Sequence, residues 1–83
     1  MSRAEEVERI VASIHPLLAG QRPQVQGAVL ADLLATWLAG HIIPGDASET
    51  DELRRRIIEM HIEMVRQLVV LNAARLWAES ESR

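Results

Sequence analysis

The chain has no cysteine, lysine, tyrosine or phenylalanine. Without cysteine there are no disulfide staples and no thiolate metal sites. Without lysine there is no Schiff-base nucleophile and no P-loop ammonium, which removes whole classes of enzyme. All nine basic residues are arginine, and Trp37 and Trp77 are the only aromatics. A chain that is 48% hydrophobic must therefore build its core from Leu, Ile, Val and Ala, which favours helix packed on helix. The net charge of −3 argues against nucleic acid as a partner, because that binding runs on phosphate neutralisation. The opening MSRAEEVERIV lacks a basic stretch followed by an apolar run, so no secretory signal is read. The most apolar window, 28–43, is too short for a bilayer span and contains Asp32. The expectation is a soluble, cytoplasmic protein of the small bacterial type with no membrane contact.

What is present reads as one all-α domain over 1–83, because 83 residues make one domain at most. Ser2 and Glu5 have capping-box spacing, and Val7, Ile10, Val11, Ile14, Leu17 and Leu18 recur at helical spacing. Glu5 can pair with Arg9 on the opposite face. The first helix is placed at about 3–19, with a kink near Pro16 and a stop at Gly20. A second, at 23–40, opens on Pro23, where a missing amide costs nothing. Leu30, Leu33, Leu34, Trp37 and Leu38 form its bulky face, and Ala28, Ala31, Ala35 and Ala39 a small-residue strip. Asp32 and Thr36 are the narrow polar seam between them. Such a helix is expected at the centre, buried on several sides. Pro44-Gly45-Asp46 signals a turn, Ser48 and Asp51 suggest the next N-cap, and a third helix follows at 48–79.

That third helix changes its buried face. In its first half Leu53, Ile57, Ile58, Met60, Ile62, Met64, Val65, Leu68 and Val69 fill one side. Glu52, Arg55, Glu59, Glu63 and Arg66 occupy the other. Continued upward, the charged strip becomes Val70, Ala73, Ala74 and Trp77, while Asn72, Arg75 and Glu79 appear where the apolar side had been. A helix that covers only its own chain keeps a single stripe. The pattern therefore predicts a homodimer joined through the alanine strip, upper helix three, or both, with Asn72 as a register-setting polar residue. The alternative is a third helix that breaks near Asn72 and folds back.

Few residues suggest chemistry. In EMHIEM, Glu59, His61 and Glu63 point in different directions on a helix. Neither HExxH nor the Glu-x-x-His of di-iron bundles occurs, so His61 reads as structural. His15 beside Pro16 is expected to bond a carbonyl freed by the proline, and His41 to sit at a helix C-terminus. Arg54-Arg55-Arg56 reads as a solvated face, locally neutralised by Glu52 and Glu59. Asp32, on a helix expected to be buried, should find an arginine in its own chain or across an interface. No catalytic residue, metal site or cofactor is assigned.

Three functions remain. The preferred one is a small dimeric protein-interaction or regulatory module, with a second copy of itself and a further protein as its partners. The second is a bundle that binds a small ligand between subunits near Asp32, Trp37 and His61. The third is a small helical enzyme using those polar groups.

Overall fold

The computed structural model describes residues 1–82. It contains three helices, α1 (Arg3–Leu18), α2 (Pro23–Ala39) and α3 (Ala47–Glu81), and no strand among the described residues. The packing divides into two units, Met1–Ala35 and Thr36–Arg83, and the division falls inside the continuous helix α2.

In the first unit the start of α1 is fixed by the reciprocal capping box. The Glu5 amide donates to Ser2 Oγ at 3.1 Å, and the Ser2 amide donates to Glu5 Oε1 at 3.3 Å. The Glu5 carboxylate is thus turned toward the helix start, and the expected pair with Arg9 is absent among the described residues. The helix runs through Pro16 to Leu18 without interruption, because only the last turn lies beyond the missing amide. Gly20, at φ +81°, takes the left-handed conformation that lets the chain turn. The Leu18 carbonyl accepts from the Gln21 amide at 3.1 Å and from Gln26 Nε2 at 2.9 Å, tying the end of α1 to the first turn of α2. Ile14, Leu18, Gln26 and Leu34 are half-buried, and every other residue of this unit is exposed. Within the single chain no residue of α2 is buried, and its alanine strip is exposed.

The second unit turns a tight corner. Pro44 and Gly45 form the turn, with Gly45 at φ +78° and the Asp46 amide donating to the Ile43 carbonyl at 3.2 Å. This leaves Asp46 extended, and its Oδ1 accepts from the Glu49 amide at 2.8 Å. Asp46, not Ser48, is the N-cap of α3. Thr50 is the one buried residue among those described. Its Oγ1 accepts from the Ile43 amide at 2.9 Å and lies 2.8 Å from the Asp46 carbonyl and 3.2 Å from that of Ile43, either of which can take its single proton.

From there α3 runs unbroken for 35 residues, about 52 Å at the helical rise, so the fold-back near Asn72 does not occur. Leu53, Arg54, Ile57, Ile58 and His61 are half-buried, and beyond His61 every described residue is exposed.

Thr50→Val keeps the shape of the side chain and leaves the Ile43 amide without its acceptor. The expected cost is about 1–3 kcal/mol, read by denaturant unfolding. Thr50→Ser, which keeps the hydroxyl, should recover much of it; equal losses in the two variants would show that the hydroxyl is not what holds the corner.

Candidate functional site

The end of α2 is where the polar side chains of the second unit converge. A helix leaves its last four carbonyls without helical partners, and here all four are met. The Gly40 amide donates to the Thr36 carbonyl at 3.2 Å, and the His41 amide to that of Leu38 at 3.0 Å. His41 Nδ1 lies 2.9 Å from the Trp37 carbonyl, and Arg54 Nη2 donates to that of Ala39 at 2.8 Å. Arg54 Nε also donates to the His41 carbonyl at 3.2 Å. Of the three arginines read as a solvated face, Arg54 instead turns inward and closes the corner between α2 and α3. The positive charge also suits the negative end of the α2 dipole.

Arg55 and Arg56 stay on the surface. Arg55 bonds Glu52 and Glu59, and Arg56 Nε lies 3.9 Å from Glu52. The hydrogen bond from Arg55, helped by the charges of Arg55 and Arg56, holds the Glu52 carboxyl below the usual range, and the hydrogen bond and charge of Glu52, with those of Glu59, push Arg55 upward. A depressed carboxylate adds stability above its unfolded pKa, and that contribution is lost as pH falls through the folded value. On a fully solvated pair the effect is small.

Of the ligand-pocket candidates, Trp37 and His61 are brought together, with ring centroids 4.6 Å apart. His41 meets the same indole edge-on at 4.7 Å. A carbonyl can only accept, so the Nδ1 of His41 and that of His61, 3.1 Å from the Ile57 carbonyl, each carry the proton. Asp32 lies on the exposed α2 surface of the first unit, with no ion pair among the described residues. The His15 ring makes no hydrogen bond to a freed carbonyl. It lines an open surface depression with Pro16, Leu18, Ala19, Gln26 and Leu30. No group of three or more His, Cys, Asp or Glu side chains is arranged to hold a metal ion among the described residues.

The interface candidates are all uncovered: Ala28, Ala31, Ala35 and Ala39 on α2, and Val70, Ala73, Ala74 and Trp77 on α3. Val70 is 70% exposed and Trp77 68%. Met60, Ile62, Met64, Val65, Leu68, Val69, Leu71 and Leu76 are exposed as well, and no apolar side chain reaches full burial among the described residues. Among the described residues no helix is long and apolar enough to cross a membrane. Comparison with known proteins finds no matching family, no matching curated protein and no matching solved structure.

Arg54→Met keeps the apolar stem and removes both bonds to the α2 end. The expected loss is about 1–3 kcal/mol, measured by thermal or denaturant unfolding. Arg54→Lys should restore only part, because an ammonium lacks the planar fork. Full stability in Arg54→Met would mean that water caps α2 equally well.

Proposed function

We propose that this chain is a small helical protein-association module that works as a homodimer. The observation that carries this reading is the uncovered apolar surface. Val70 is 70% exposed and Trp77 68%, and no apolar side chain is fully buried among the described residues. Apolar helix left without cover gains its burial from a partner. A second copy brings the same uncovered faces and needs the same cover. The alanine strip of α2 allows close approach of another helix, and the Val70–Trp77 face supplies bulk.

The ligand-binding reading draws on the contact between Trp37 and His61. Asp32, the third residue of that reading, belongs to the other unit. The reading has its own test in a ligand-dependent change of Trp37 emission that His61→Ala removes.

The homodimer is tested by light scattering. Native protein should have twice the mass of the chain. Val70→Glu places an unpaired charge on the buried face, at a cost on the order of several kcal/mol. The variant should lose the dimer, melt lower, and show Trp77 emission shifted to the red. A compact native monomer at high micromolar concentration would overturn the reading.

A further inference from the structure

We draw no further inference here: the strongest candidate, the exposed apolar surface of α3 beyond His61, carries nothing because nothing in the structure shows what covers it.

Discussion

Apolar side chains on every side of a helix have to be shielded from water, and that requirement governs the upper half of α3. Helix propensity alone does not stabilise such a segment, because most helical stability in proteins comes from packing of an apolar face. Among the described residues, none of α3 beyond His61 is half-buried. That stretch of about five turns carries Val65, Leu68, Val69, Val70, Leu71, Leu76 and Trp77, each at least 45% exposed. The first unit shows the same shortage in milder form, with partial burial at only Ile14, Leu18, Gln26 and Leu34. Neither unit closes a core, and that shared deficit is what makes association part of the proposed folding reaction.

The polar corner has a different physical role. It sets the direction in which α3 leaves α2, and it does so almost entirely with backbone groups. Three of the last four α2 carbonyls, the Ile43 amide and the first turn of α3 are satisfied by His41, Thr50, Arg54 and Asp46, and the Gly40 amide meets the fourth carbonyl. Unmet groups of this kind are costly when buried, so the corner is well defined even though little apolar surface supports it. The rings of His41, edge-on, and His61, tilted, meet the Trp37 indole beside it, adding aromatic contact at the point where α2 and α3 diverge from the loop.

The three-helix architecture was legible because its signals are local. Apolar residues recur at helical spacing, Ser2 and Glu5 form the capping box, and Pro44-Gly45 makes the turn. The choice of Asp46 over Ser48 as N-cap was not legible, since it depends on where the turn leaves the backbone extended. Arg54 escaped for a stronger reason. Its partners, Ala39 and His41, lie 15 and 13 residues away, and nothing in three adjacent arginines indicates which one turns inward. The absence of buried residues on α2 within the chain was not legible from its composition. An apolar girth establishes that a helix needs neighbours, but not that its own chain supplies them.

That distinction bears on the central claim that folding and association are one reaction. It is tested most directly by following the thermal unfolding of native protein over a hundredfold range of concentration. A dimer whose chains do not fold alone has a midpoint that rises with concentration, and this is the result the account predicts. A sharp transition whose midpoint does not move, in a protein with the mass of one chain, would contradict it.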